Sequence, residues 1–162
     1  MMASEVLRVA NDMNGTRHAD RRGRRLAMAA IVLEVLLALG AIGGGIALIL
    51  GPRGEIIPLP VSALSGSPFD SYLIPGVILL TVLGLGPLVA AIAAWRANPL
   101  APLMAVAVGG GLLVWLAVQI VIIGFSTSPP LQPIYLVLGL VIVAVGVTWE
   151  LEGRQRPNLR GR

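Results

Sequence analysis

The chain has 162 residues, 56% of them apolar and only 12% charged, with a mean hydropathy of +0.87. A soluble domain carries roughly 25% charged residues, so this composition excludes an ordinary soluble enzyme and points to a polytopic membrane protein. There is no cysteine, which excludes disulfides, thiolate metal sites and thiol redox chemistry.

Residues 1–26 are polar and hold six of the twelve arginines. With Asn11, Asn14 and Gly15 among them, they are expected to be mostly disordered, with a short helix near residues 4–10. Arg21, Arg22, Arg24 and Arg25 abut the first apolar run. Such a cluster could be a nucleic-acid arm or a twin-arginine export signal. The plainer reading is a cytoplasmic anchor that meets anionic lipid headgroups. The run that follows favours the anchor. Leu26 to Leu50 is far longer than the apolar core of a signal peptide and reads as a span.

The first span, residues 27–50, carries one charge, Glu34. The helical stripe Ala27, Ala30, Glu34, Ala38, Ala41 and Gly45 is otherwise made of small residues. Stripes of this kind mark close helix–helix contact, so Glu34 is expected to face the bundle. The pairs Gly40/Gly44 and Ala41/Gly45 strengthen that expectation, and such faces also allow oligomerisation.

Residues 51–71 form the longest loop, rich in proline yet carrying Ile56, Ile57, Leu59, Val61, Leu64 and Phe69. It is expected to fold down on the mouth of the bundle, with one helical turn near residues 60–64. Ser67, Pro68 and Asp70 have the spacing of a capping box, with Ser67 as N-cap of the second span. That span, residues 73–95, contains Pro75-Gly76 and Pro87, each expected to free a carbonyl one turn back and bend the helix. Asn98-Pro99 signals a turn. The third span, residues 100–124, carries Trp115 and Gln119, and the Gln119 amide could reach the carbonyl freed by Pro75. A short loop, 125–133, includes Gln132. The fourth span, 131–151, shows Tyr135, Gly139, Ile142 and Gly146 on one stripe, and a basic tail, 152–162, follows. A faint echo between the two helical hairpins fits either duplication or simple membrane composition.

Eleven arginines lie in the two tails and the 96–99 turn, and one, Arg53, lies in the other loops. The expected topology therefore has four spans with both termini cytoplasmic. Trp95, Trp149, Tyr72 and Tyr135 fall where an aromatic belt would sit. The fold class expected is all-α: a four-helix transmembrane bundle with a proline-kinked second helix.

The pieces Gly44-Gly45-x-x-Leu48 with Pro52-x-Gly54, and Ser67-Pro68-Phe69 with Tyr72-x-x-Pro75-Gly76, form a pattern. So do Trp115-x-x-x-Gln119 with Ile122-Ile123-Gly124, and Leu131-Gln132-Pro133-x-Tyr135 with Gly139. Across roughly residues 40–140 the pattern resembles an uncharacterised family of small bacterial four-helix integral membrane proteins. The resemblance implies a fold and topology and no assigned activity; the location expected from the whole reading is a bacterial inner membrane.

Among ionisable residues only Glu34 lies inside a span, where a carboxyl group is a functional candidate by default. It reads either as a proton or cation site or as a protonated or hydrogen-bonded structural acid. On the second reading glutamine should replace it better than leucine. His18 stands alone in a polar tail. Glu55 and Asp70 share a loop, but one neighbours Arg53 and the other reads as a cap. No constellation of nucleophile, base or metal ligands is visible. The chain is therefore expected not to be an enzyme and to need no cofactor, metal or nucleic acid. Its expected partners are the lipid bilayer, anionic headgroups at the arginine-rich termini, and another membrane or envelope protein. The residues singled out are Glu34 and Gln119 within the spans, and Ser67, Pro68, Phe69, Asp70, Tyr72, Pro75, Gly76, Gln132 and Tyr135 at an outer lid. They suit an accessory or scaffold subunit, or a lipid-interacting protein; the alternative is a small transporter or channel subunit that uses Glu34.

Overall fold

The computed structural model describes residues 2–125 and 130–155, with side chains described for 21–125 and 130–154. Every regular element in it is helical. Helix α1 is Met2–Leu50, followed by a 3-10 turn at Val61–Leu64. Helix α2, Leu73–Ile78, continues through a π-helical segment, Leu79–Leu85, into α3, Gly86–Trp95. Helices α4, Ala101–Ile123, and α5, Leu131–Gln155, complete the chain. Four stretches are long and apolar enough to cross a membrane: Arg21–Leu50, Leu73–Trp95, Ala101–Ile123 and Leu131–Arg154. These match the four expected spans closely.

The expectation for residues 1–26 fails, because α1 is one helix of 49 residues, about 74 Å long. No proline interrupts it, and Asn14-Gly15 costs only about 1–2 kcal/mol of helix propensity. The apolar half supplies the costly nucleus, and the polar half extends it.

The helices form a four-sided bundle. Helix α1 packs against the α2–α3 stretch on one side and α5 on the other; α4 packs against α5 and α3, and touches α1 only lightly. The core along the axis is Ala30, Leu37 and Ala41 from α1, Leu83 from the π segment, Ala105, Leu112 and Leu116 from α4, and Ile142 from α5.

Two glycine contacts set the spacing. A Cβ at Gly45 would lie 2.8 Å from the Leu80 backbone nitrogen, and one at Gly76 would lie 3.1 Å from the Gly45 carbonyl oxygen. On the other side a Cβ at Gly109 would meet the Gly139 carbonyl oxygen at 2.9 Å, and one at Gly146 would meet the Pro102 carbonyl oxygen at 3.0 Å. Backbone lies against backbone at both places, so the small residues of the first and fourth spans do what their stripes imply.

The prolines act differently from expectation. Pro75 lies in the first turn of α2, where its missing N–H had no helical partner to lose. Pro87 opens α3 just after the π segment, and the Gly86 N–H reaches back five residues to the Thr81 carbonyl. The wider turn carries the chain past the proline without ending the helix.

The α3–α4 turn closes with a full Schellman pattern. The Asn98 N–H donates to the Ala93 carbonyl at 2.9 Å and the Ala97 N–H to the Ala94 carbonyl at 3.1 Å. Ala97 therefore stands at φ +53°, a left-handed position that normally belongs to glycine. Ala97→Gly should stabilise the protein by about 1 kcal/mol, read as a higher midpoint in thermal unfolding of the purified protein.

Candidate functional site

Glu34 is 1% exposed and shares its buried face with Ala30, Leu37, Ala38 and Ala41, as the small-residue stripe implied. Neither carboxyl oxygen has a hydrogen-bond partner among the described residues. The threonine hydroxyls of the spans lie away from it and are committed to their own helices: Thr81 donates to the Val77 carbonyl and Thr148 to the Ala144 carbonyl, both at 2.7 Å. Gln119 is half-buried on α4, and its amide makes no hydrogen bond among the described residues, to Pro75's neighbourhood or elsewhere. The structure does not bring Glu34 and Gln119 together as one polar site. Continuing the antiparallel register set by Gly45 beside Leu80 and Ile42 beside Gly84 puts Glu34 level with about residue 91, towards the arginine-rich end. Gln119 lies near the other end of α4.

At that other end the loop folds down on the bundle. Leu48, Leu64 and Tyr72 form a second buried cluster, joined by Ile57, Leu59, Phe69, Leu79 and Ile122. Tyr72 is its fastener. It is 6% exposed, its N–H donates to the Pro52 carbonyl at 2.8 Å, and its hydroxyl donates to the Pro60 carbonyl at 3.0 Å. Burial pushes the Tyr72 hydroxyl above its usual pKa, so it remains a donor. Gly54 lets the loop turn: its φ is +89°, and a Cβ there would collide with the Leu59 carbonyl oxygen.

The capping box is a correction. Helix α2 begins at Leu73, and no side chain caps it strongly. The Ser67 hydroxyl accepts the Phe69 N–H at 3.3 Å, a local turn, and Pro68 and Asp70 are exposed. The Ser71 hydroxyl is the nearest to a cap, accepting the Leu73 N–H at 3.5 Å. Docking of Tyr72 into the loop decides where the helix starts, and it overrides the local Ser-Pro-x-Asp signal.

The aromatic belt also changes. Tyr72 is buried in the loop, Tyr135 turns its hydroxyl towards Gly40, and Trp149 packs against the core. Trp95, 82% exposed beside Arg96, is the one of the four whose ring stands clear of the bundle. The 125–133 loop lies partly outside the described residues. At its end the Gln132 amide donates to the Gly124 carbonyl at 3.2 Å, which ties the start of α5 to the end of α4. The sequence singled out Gln132 and ended the third span at Gly124 without revealing this clamp, because the two meet only once the α4–α5 hairpin forms.

With this geometry described, comparison with known protein families, curated proteins and solved structures finds no match.

Two expectations follow. The unpartnered Glu34 carboxyl reverses the order read from the sequence: an unbranched apolar side chain of similar length removes a desolvated polar group, whereas glutamine keeps one. Glu34→Met should raise stability by about 1–3 kcal/mol over Glu34→Gln in thermal unfolding. A Gln variant as stable as the Met variant would show that a donor reaches the carboxyl. Tyr72→Phe should cost about 1 kcal/mol and speed hydrogen exchange across residues 52–64, because it removes one hydrogen bond and leaves the ring in place.

Proposed function

We propose that this chain is a multi-pass protein of a bacterial inner membrane, with both termini cytoplasmic, that works by association. It would serve as an accessory or scaffold subunit of an envelope complex, or as a lipid-interacting protein. The observation that carries this reading is the folded loop. Residues 51–72 are fixed by Tyr72 at two carbonyls and by the buried Leu64, while Ile56 stays exposed. A simple connector between two helices needs only a few residues. This one is long, apolar and ordered, which suits a surface held ready for a partner.

A second reading, a small transporter or channel subunit, is favoured by one observation: the buried and unpartnered Glu34 carboxyl. Against it, no described side chain hydrogen-bonds the carboxyl to begin a proton relay. Association should survive Glu34→Gln, and proton-coupled transport should not.

Replacing residues 56–64 with glycine and serine should abolish recovery of a co-purifying envelope protein from mild detergent. Unchanged recovery would reduce the loop to a connector. The orientation, supported by the arginine asymmetry, predicts that a single cysteine at Ser65 labels from outside intact cells and one at Ser4 or Asn158 does not.

A further inference from the structure

The arginines at one end of the bundle are not equivalent. Arg22 Nε lies 2.6 Å from Glu152 on α5, and Arg154 Nε lies 2.8 Å from Glu150. The glutamates of α5 thus neutralise their own corner. Arg21, Arg24 and Arg25 are exposed and form no ion pair with a described residue. Arg96 is likewise unpaired but stands alone at the α3–α4 turn.

Helical geometry puts these three arginines on one face of α1. Residues 21 and 25 are one turn apart, and 24 lies beside them. The same face continues through Met28, Val32, Leu36 and Leu39, each at least half exposed. Gly43, beyond which a Cβ would meet nothing, extends it further. The opposite face of α1 is the buried one, with Ala30, Glu34, Leu37, Ala38 and Ala41. Met28 to Leu36 covers about 12 Å, close to the acyl depth of one leaflet, roughly 15 Å. An open apolar strip at least one leaflet deep therefore ends directly in three guanidinium groups that pair with no described residue.

We propose that this face of α1 is a binding site for one anionic phospholipid. Its phosphate is held by Arg21, Arg24 and Arg25, and its acyl chains lie along Met28, Val32 and Leu36. Guanidinium groups recognise phosphate oxygens in pairs of hydrogen bonds. The strip joins the cations without a polar gap, which matches an amphiphile and not a free anion. The α5 corner is not part of the site, because Arg22 and Arg154 are already paired there. The proposal rests on the membrane reading given above and narrows it to one flank and one lipid class.

The test uses the full-length protein in vesicles of phosphatidylcholine and of a phosphatidylcholine–phosphatidylglycerol mixture. Flotation that resists alkaline extraction checks membrane insertion separately: failure to insert in either vesicle overturns the membrane reading, and this proposal with it. For inserted protein, the thermal midpoint and the lipid retained in native mass spectrometry are read. The parent should retain phosphatidylglycerol preferentially and melt higher in the mixture, with the preference weakening in high salt. The triple variant Arg21→Gln, Arg24→Gln, Arg25→Gln should insert equally and lose both effects. Arg21→Gln alone should lower the preference by on the order of five-fold. Arg154→Gln should behave as the parent. A preference kept by the triple variant, an equal loss in Arg154→Gln, or the same shift on adding inorganic phosphate to phosphatidylcholine vesicles would overturn the proposal.

Discussion

Where the surroundings are as apolar as the side chains, burying leucine between helices gains little, and association depends on how closely backbones approach. Gly45 against Leu80 and Gly76, and Gly109 and Gly146 against α5 and α4, are the places where this chain makes that approach. Each holds one antiparallel hairpin: α1 with the α2–α3 stretch, and α4 with α5. The alanines of the core serve the same end. Ala30, Ala38, Ala41, Ala90, Ala91, Ala94, Ala101 and Ala105 are all buried, so the interior is narrow and built mainly of short side chains. Much of the large apolar surface, from Val32 and Leu36 to Val114 and Val121, points outward.

That inversion explains why Glu34 stands out. In a broad core, a carboxyl group can be met by a serine, an amide or a turn of loop backbone. Between closely spaced alanine helices there is no room for such a partner, and none is found among the described residues. The carboxyl is therefore a cost that the close packing both creates and surrounds. The π segment is the complementary case. Its altered hydrogen bonding lies at the level of Gly44 and Gly45, where the adjoining helix is thinnest, so the wider turn has space to form.

The parts of this architecture governed by periodicity were legible in the residues. The four spans, the inward face of α1 with Glu34 on it, the α5 glycine stripe and the turn after Pro60 all follow from apolar run length, helical spacing and proline placement. The parts governed by competition were not. Ser67 and Asp70 carry a sound local signal for a helix start, yet Tyr72 gains two hydrogen bonds and a buried ring by staying with the loop. Residues 1–26 have a composition that would not hold a helix alone, but they continue one that is already nucleated. Gln119 was assigned a partner by depth alone, and depth does not specify which face of α4 the amide occupies. Ala97 gives no hint of its left-handed backbone, because the residue that usually marks that position is glycine.

The two ends of the bundle are built on opposite principles, and each explains the other. At one end the chain returns on itself: the loop covers the mouth, Tyr72 fastens it, and the apolar cluster around Leu64 closes the space between α1 and α4. At the other end no described loop covers the bundle. Helices α1 and α5 both run past the α3–α4 turn, and they meet through Arg22 and Glu152 instead of through apolar side chains. With its arginine exposed and its glutamate largely covered, this ion pair contributes little energy, but it sets which face of each helix turns towards the other. Once Arg22 is committed to α5, helical spacing leaves Arg21, Arg24 and Arg25 pointing away from the bundle, in line with the apolar outer face of α1. The charge distribution at that end is thus a consequence of helix phase. Ala30, Ala38, Ala41 and Gly45 fix the same phase from within, because the rotation of α1 that buries them, and Glu34 with them, is the one that exposes the arginines.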